Sequence, residues 1–321
     1  METRRLGKSG LHVSELALGT MTMGWRNDEP ESHQILDVAF DHGITLIDTA
    51  DIYSRWVEGN PGGVSEEFVG SWLQTKSRYD VVLATKVRGR MWDGPSGEGL
   101  SRMHIIKACE DSLRRLKVDH IDLYQCHYPD EDTPIEETVE AMGELVKQGK
   151  VRYLGLSNFP AWLHAKANAY AANHGLPEFV STQPKYNLIC RRDVEKELAP
   201  YCLEDEVGVI PYSPLEGGLL TGKYRPNEEG PADSRHTING RAQEKLTPQV
   251  IRTLETLAHI ATQRGETMTQ TSLVWMFSKD FITSPIIGAT SIEQLLDSLG
   301  AADKRLSLEE LESLDEVSAG L

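Results

Sequence analysis

Asp48, Tyr53, Lys86 and His127 each stand where a short apolar run ends. The runs are Thr45-Leu-Ile-Asp-Thr-Ala-Asp-Ile-Tyr53, Val81-Val-Leu-Ala-Thr-Lys86 and Ile121-Asp-Leu-Tyr-Gln-Cys-His127. Each reads as a buried strand entering a loop. If these strands are parallel neighbours, their carboxyl ends share one face, where α/β sheets and barrels keep their chemistry. Together the four side chains can move a proton. A tyrosine can donate it, a lysine ammonium can lower the tyrosine pKa, an aspartate can hold the lysine charged, and a histidine can orient a carbonyl. Taken singly, each also has a plain structural reading: loop aromatic, strand-end cap, salt-bridge partner, satisfied core histidine.

Elements able to position such a set recur along the chain. Arg4–Val13 reads as a hairpin turning at Lys8-Ser-Gly10. Strand-like runs follow at Leu16–Met21, Thr45–Thr49, Val81–Val87, Ile121–His127, Val151–Ser157, Phe179–Gln183, Gly208–Tyr212 and Ser284–Gly288. Helical spacing fills the gaps at Glu31–His42, from Ser65 to Leu73, and at His104–Leu116, Pro134–Gln148, Ala161–His174, Val194–Leu203, Pro248–Arg264 and Ile292–Leu299. Ser65 suits an N-cap, Pro134 a first helical turn, and Gly149 and Gly175 helix ends. A last helix from Ser307 opens with a Ser-x-x-Glu capping box.

Eight strand–helix units without a composition break predict an α/β fold: a single domain, residues 1–321, closed as a (β/α)8 TIM barrel with an N-terminal β-hairpin. Long loops at the carboxyl-end face are expected at Tyr53–Ser65 and Ser213–Leu246. A doubly wound sheet is the alternative, but its Gly-x-Gly-x-x-Gly turn does not follow the first strand.

The 33 basic and 49 acidic residues give a net charge of −16. No basic patch stands out, so neither nucleic acid nor an anionic membrane is an expected partner. Cys109, Cys126, Cys190 and Cys202 form no C-x-x-C pair, and the polar N-terminus carries no secretory pattern. A reducing, cytoplasmic setting is expected, with no metal site. Cys126 beside His127 suggests a thiol or metal centre less than it suggests a small buried hydrophobe.

The motifs resemble those of the aldo-keto reductase superfamily, in its bacterial reductase and potassium-channel beta-subunit branch. The resemblance rests on Asp48-Thr-Ala-Asp-Ile-Tyr53, Thr85-Lys86, Gln125-Cys-His127, Gly155-Leu-Ser-Asn158, Gln183, Pro211-Tyr-Ser-Pro-Leu215, Gly217-Gly-Leu-Leu-Thr-Gly-Lys-Tyr224 and Ile286-Ile-Gly-Ala-Thr290. It implies an NAD(P)H-dependent enzyme that reduces aldehydes or ketones reversibly. It makes Tyr53 the general acid, Lys86 its tuner, Asp48 the partner of Lys86, and His127 the carbonyl-orienting group. For the cofactor it implies Thr20, Met21 and Asp48 near the nicotinamide, with Ser157, Asn158 and Gln183 on the carboxamide and Tyr212 stacked on the ring. Ser213, Pro214, Leu215, Gly217, Leu219 and Lys223 would wrap the pyrophosphate. Arg235, Gly288, Thr290, Gln294 and Ser298 would meet the adenosine end.

The family's cofactor is usually NADP. This chain departs at the 2′-phosphate end, where Gly288–Leu299 holds no Lys or Arg and carries Glu293 and Asp297. A phosphate prefers Arg or Lys. NADP is therefore expected with Lys223 and Arg235 compensating, and NAD is the alternative. Trp25, Trp56, Trp92 and Tyr128 follow the first four barrel strands and are candidates to line a pocket for a small carbonyl or sugar substrate. Two other function classes stay open at this point. One is a cofactor-binding channel-partner module, from the match at Gly99-Leu-Ser-Arg-Met-His-Ile105. The other is a Schiff-base lyase on Lys86, against which the Asp48–Tyr53–His127 set and Tyr212-Ser-Pro argue.

Overall fold

The computed structural model describes residues 1–232 and 234–321. Two antiparallel strands, β1 (Thr3–Arg5) and β2 (His12–Ser14), form the expected hairpin. Eight more build one parallel sheet: β3 (Ala17–Gly19), β4 (Leu46–Asp48), β5 (Val82–Val87), β6 (Ile121–Cys126), β7 (Val151–Ser157), β8 (Phe179–Gln183), β9 (Gly208–Val209) and β10 (Ile286–Ile287). Their order is β10-β3-β4-β5-β6-β7-β8-β9. The two edges approach each other through parallel bridges Val209↔Ile282 and Tyr212↔Ile286. This curled sheet fits a (β/α)8 barrel.

The helices are α1 (Glu29–Asp41), α2 (Val64–Leu73), α3 (Arg102–Leu116), α4 (Ile135–Lys147), α5 (Ala161–Asn173), α6 (Ala199–Glu204), α7 (Arg235–Ile238), α8 (Ala242–Lys245), α9 (Pro248–Arg264), α10 (Met268–Phe277), α11 (Ile292–Leu299) and α12 (Leu308–Val317). No helix of the described residues is long and apolar enough to cross a membrane.

Period-2 alternation decides what enters the sheet's inner face. Leu46, Ala84 and Leu123 cluster there with Leu6 and Val13 of the hairpin, Ile210 and Ile286. The hairpin turn reaches the starts of the last strands, where Lys8 N–H donates to Glu206 O at 2.7 Å. The hairpin thus covers the amino end. Two residues further along the same strands stand Asp48, Lys86 and Gln125, which are polar and buried at the carboxyl end. Gly155 keeps room for them, because a Cβ there would lie 2.6 Å from Ser181 Oγ and 3.1 Å from Gln125 Cγ.

Several local expectations are corrected. The N-cap of α2 is Gly63 at φ 80°, and Ser65 lies inside the first turn. Its hydroxyl donates to Thr20 O (2.9 Å) and pairs with the Thr20 and Thr49 hydroxyls (2.8 and 3.0 Å), tying the helix to β3 and β4. Pro134 is the N-cap of α4 and not a first-turn residue. α1 starts earlier than its apolar spacing indicates, because Asp28 and Glu31 form a capping box. β9 and β10 are shorter than expected: Pro211 and Pro285, which lack an N–H, lie beside them. α10 has no amphipathic period because it is buried nearly all round, from Thr271 through Phe277.

Candidate active site

Lys86 is fully buried, and its ammonium has three donors to place. It donates to Asp48 Oδ2 at 2.5 Å, Tyr53 Oη at 2.8 Å and Thr49 O at 2.9 Å. Asp48 is 2% exposed. Its other oxygen, Oδ1, accepts from Gln125 Nε2 (3.0 Å) and Gln183 Nε2 (2.9 Å). The Thr20 N–H and hydroxyl both donate to the Asp48 carbonyl. Both charges of the centre, Lys86 and Asp48, are therefore fully hydrogen-bonded, as a buried ion pair requires.

Electrostatics revise one expectation. Burial pushes the Tyr53 phenol above its ordinary value, and the opposing pull of Lys86 does not overcome it. The phenol holds its proton at neutral pH. Burial alone would lower Lys86, but the charges of Asp48 and Tyr53 outweigh it and raise the ammonium. His127 is pushed down to about 3 by burial, with Lys86 and Arg88 adding to the effect, so its imidazole is neutral across working pH. Its ring meets Tyr53 edge-on at 6.0 Å and stacks on Tyr128 at 5.2 Å. Burial raises the Cys126 thiol, which leaves it no nucleophile.

The contacts continue to a wall of aromatics. Trp56 meets Tyr53 at 6.4 Å and Trp25 at 5.7 Å. Trp92 does not join it. Its ring stacks on His104 at 4.7 Å, because the loop after β5 folds back through Met91 N–H to Gly97 O. A separate cavity of about 540 Å³, lined by Leu100, Pro129, Phe159 and Trp162 among others, opens beside the β6–α4 and β7–α5 loops. It includes none of Asp48, Tyr53, Lys86 or His127.

Around the inner set lie the other expected residues. Ser157 Oγ donates to Gln183 O (2.9 Å), Asn158 Nδ2 to His127 O (3.0 Å), and the Tyr212 hydroxyl to Asn158 Oδ1 (2.9 Å). Asn158, Ser213, Glu216, Ser54 and Arg88 all hold positive φ on this face. Such strain gathers where a site over-determines the backbone. Gln183, expected at a carboxamide, directs its amide nitrogen to Asp48 Oδ1 (2.9 Å) and Gln125 Oε1 (3.1 Å).

The loop after β9 turns on Gly217 (φ 62°) and Gly218 (φ 93°). A Cβ on Gly218 would lie 2.6 Å from Lys223 Nζ, and one on Gly217 3.3 Å from Arg235 Cδ. The Lys223 ammonium and the stem of Arg235 therefore lie against the glycine pair. Met21, Pro214, Leu215 and Gly288 flank this face, and at Gly288 a Cβ would meet open space. Thr290 N–H and hydroxyl both reach Gln294 Oε1 at 3.1 Å. Two expected residues turn away. The Leu219 side chain is buried in the core, and the Ser298 hydroxyl is spent on Gln294 O at 3.0 Å. Asp297 Oδ1 accepts from Thr267 and Gln270 of the α10 start, so it is committed there.

Sequence reasoning gave no role to Gln125 or Glu216. Gln125 was visible as an inward polar residue two before His127. Glu216 Oε1 takes Lys185 (2.8 Å) and Lys245 (2.6 Å), and Oε2 takes Asn187 (2.9 Å), clamping the long loop. Burial would raise Glu216, but the Lys185 and Lys245 hydrogen bonds hold it at about 2. A depressed carboxylate stabilises the fold above its unfolded value near 4.5 and loses that contribution as pH falls through about 2. Glu216→Gln is expected to cost roughly 1.5–3 kcal/mol at pH 7. Urea midpoints at pH 7 and pH 3 check this: the gap between variant and wild type narrows at pH 3, and an equal gap at both rules the ion pairs out as its source.

Residues 15–319 match the aldo/keto reductase family model. The chain belongs to the aldo/keto reductase family. It is 39% identical over 326 residues to an uncharacterised oxidoreductase of Bacillus subtilis, YrpG, with 100% of this chain and 97% of that one covered. It is 35% identical to an L-glyceraldehyde 3-phosphate reductase of Escherichia coli K12, covering 98% and 92%. It is 36% identical to a probable voltage-gated potassium channel subunit beta of Arabidopsis thaliana, covering 94% and 92%. These similarities make this aldo/keto reductase an oxidoreductase by descent.

Proposed function

We propose that the protein reduces aldehydes or ketones to alcohols, reversibly, with NADPH, in one cytoplasmic (β/α)8 barrel domain spanning residues 1–321. The observation that carries this reading is the single buried ammonium of Lys86, which donates at once to Asp48 and to the Tyr53 hydroxyl. The aldehyde-reductase relative supports an aldehyde as substrate.

The residues fit a nicotinamide dinucleotide. The glycine turn with the Lys223 ammonium against it suits a pyrophosphate held by Ser213, Pro214, Leu215 and Gly217. The open space at Gly288 and the amide nitrogen of Gln294, whose Oε1 is fixed by Thr290, suit the adenosine end. Ser157, Asn158 and Tyr212 suit the nicotinamide end. When bound in reduced form, this group supplies hydride to a carbonyl carbon.

The chain's own residues do the rest. As charge grows on the carbonyl oxygen, the Tyr53 hydroxyl gives it a proton. Lys86 stabilises the phenolate left behind. Asp48, held by Gln125 and Gln183, keeps Lys86 charged and in place. Neutral His127 offers a hydrogen bond that orients the oxygen without competing for its proton. In the oxidising direction the phenolate takes the proton back. The test is the purified protein with NADPH or NADH and a panel of aldehydes, followed by loss of reduced-nicotinamide absorbance. No turnover with either cofactor across the panel refutes the reading.

Cofactor preference is a separate expectation. NADPH binds more tightly than NADH, because Lys223 and Arg235 supply the positive charge that Gly288–Leu299 lacks. A charged hydrogen bond contributes roughly 1.5–3 kcal/mol, about one to two decades of affinity. Arg235→Ala narrows the NADPH/NADH ratio by up to that amount, and salt weakens NADPH more than NADH. Tryptophan-quenching titrations measure both ratios, and an undiminished ratio in the variant places the phosphate elsewhere.

A further inference from the structure

Arg88 follows β5 directly, two residues after Lys86, at the carboxyl end of the sheet. Three observations single it out. Its φ is 137°, a strained conformation that L side chains rarely adopt. Its Nε is buried without a hydrogen-bond partner, and its guanidinium forms no hydrogen bond or ion pair among the described residues. Its charge reaches His127, where it joins Lys86 in disfavouring the imidazolium.

Four other cations of these loops are occupied. Arg90 pairs with Glu98, Arg55 donates to Pro61 O at 3.0 Å, and Lys185 and Lys245 share Glu216. Asp130 also feels Arg88, but its carboxylate is taken by the Leu100 N–H (2.7 Å), the Thr133 hydroxyl (2.8 Å) and the Asp132 N–H (3.1 Å). A strained backbone thus holds an unpartnered guanidinium on the His127 side of the site, next in the chain to Val87, whose carbonyl accepts from His127 N–H at 2.9 Å. In a chain of net charge −16, an anion needs such a local cation.

We propose that Arg88 is a specificity-determining residue that receives an oxyanion on the carbonyl substrate, a carboxylate or a phosphate, by a planar two-pronged hydrogen bond. The proposal rests on the reductase reading for the word substrate, and on the geometry alone for the anion. Guanidinium geometry matches both anions, and each closes the unfilled donors of Arg88. Lys223 and Arg235, against the glycine turn of the loop after β9, remain for the cofactor's phosphates. The substrate is therefore an aldehyde or ketone with an acidic tail, presented to Tyr53 from the Arg88–His127 side.

The test compares matched pairs: 4-carboxybenzaldehyde against 4-methylbenzaldehyde, and glyceraldehyde 3-phosphate against glyceraldehyde. Each is measured twice, as kcat/KM with the preferred cofactor and as Kd by calorimetry on the holoenzyme. Wild type is expected to favour the charged member of at least one pair by about ten- to a hundred-fold, and the preference falls with added salt. The pair with the larger preference identifies the anion. Arg88→Met brings the charged-to-neutral ratio close to one, and Arg88→Lys retains part of it. No preference in wild type for either anion, or a full preference surviving in Arg88→Met, overturns the proposal. If Arg88→Met does not fold, the wild-type preference and its salt dependence still decide. Charge-selective binding that the variant loses, with no turnover of any aldehyde, upholds Arg88 and refutes the reductase reading.

Discussion

Tyr53→Phe is expected to bind the dinucleotide as wild type does and to lose most of its reduction rate. The ring keeps its edge-on contacts with Trp56 and His127, so the wall of the pocket is preserved. Lys86 loses one acceptor but keeps Asp48 and the Thr49 carbonyl. What disappears is the hydroxyl that Lys86 holds at 2.8 Å, the proton donor of the proposed reaction. A positioned general acid contributes ~10²–10⁴-fold, and the loss should fall in that range. Single-turnover measurements isolate the chemical step, and tryptophan quenching reads cofactor affinity on the same sample. A variant that keeps more than half the wild-type single-turnover rate would remove Tyr53 from the role.

The centre was legible in the sequence for a physical reason. Asp48, Lys86 and Gln125 occupy strand positions whose parity is fixed by Leu46, Ala84 and Leu123, so period-2 alternation turns all three inward. What alternation cannot show is hydrogen-bond choice. Gln183 is placed correctly at the end of β8, yet its amide nitrogen prefers a buried carboxylate to open space. Tyr53 was read as lowered by Lys86, because charge is visible in a sequence and desolvation is not. Trp92 was grouped with the other aromatics by chain order, but the loop after β5 doubles back and gives its face to His104. Ser65 looked like a cap because it precedes a helical run, while the cap geometry fell to Gly63. α10 was missed because periodicity detects a helix only when one side is wet.

Lys86→Met is expected to remove activity and to cost about 3–5 kcal/mol of stability, because it leaves the Asp48 carboxylate buried without its cation. The raised ammonium stabilises the fold fully below its unfolded value of 10.5 and loses that contribution as pH rises through the folded one. A comparison at pH 7 therefore reads the whole effect. Two consequences separate a catalytic role from a structural one. Without Lys86 nothing opposes burial at Tyr53, so any residual alcohol oxidation, which needs the phenolate, moves its pH limb upward. Adding Asp48→Asn removes the orphaned charge, so the double variant should recover most of the lost stability and none of the rate. Urea unfolding and pH–rate profiles of the wild type, both single variants and the double variant measure these terms. If the double variant recovers turnover along with stability, or Lys86→Met keeps its turnover with an unshifted profile, Lys86 is only half of a buried ion pair and the proton must come from elsewhere.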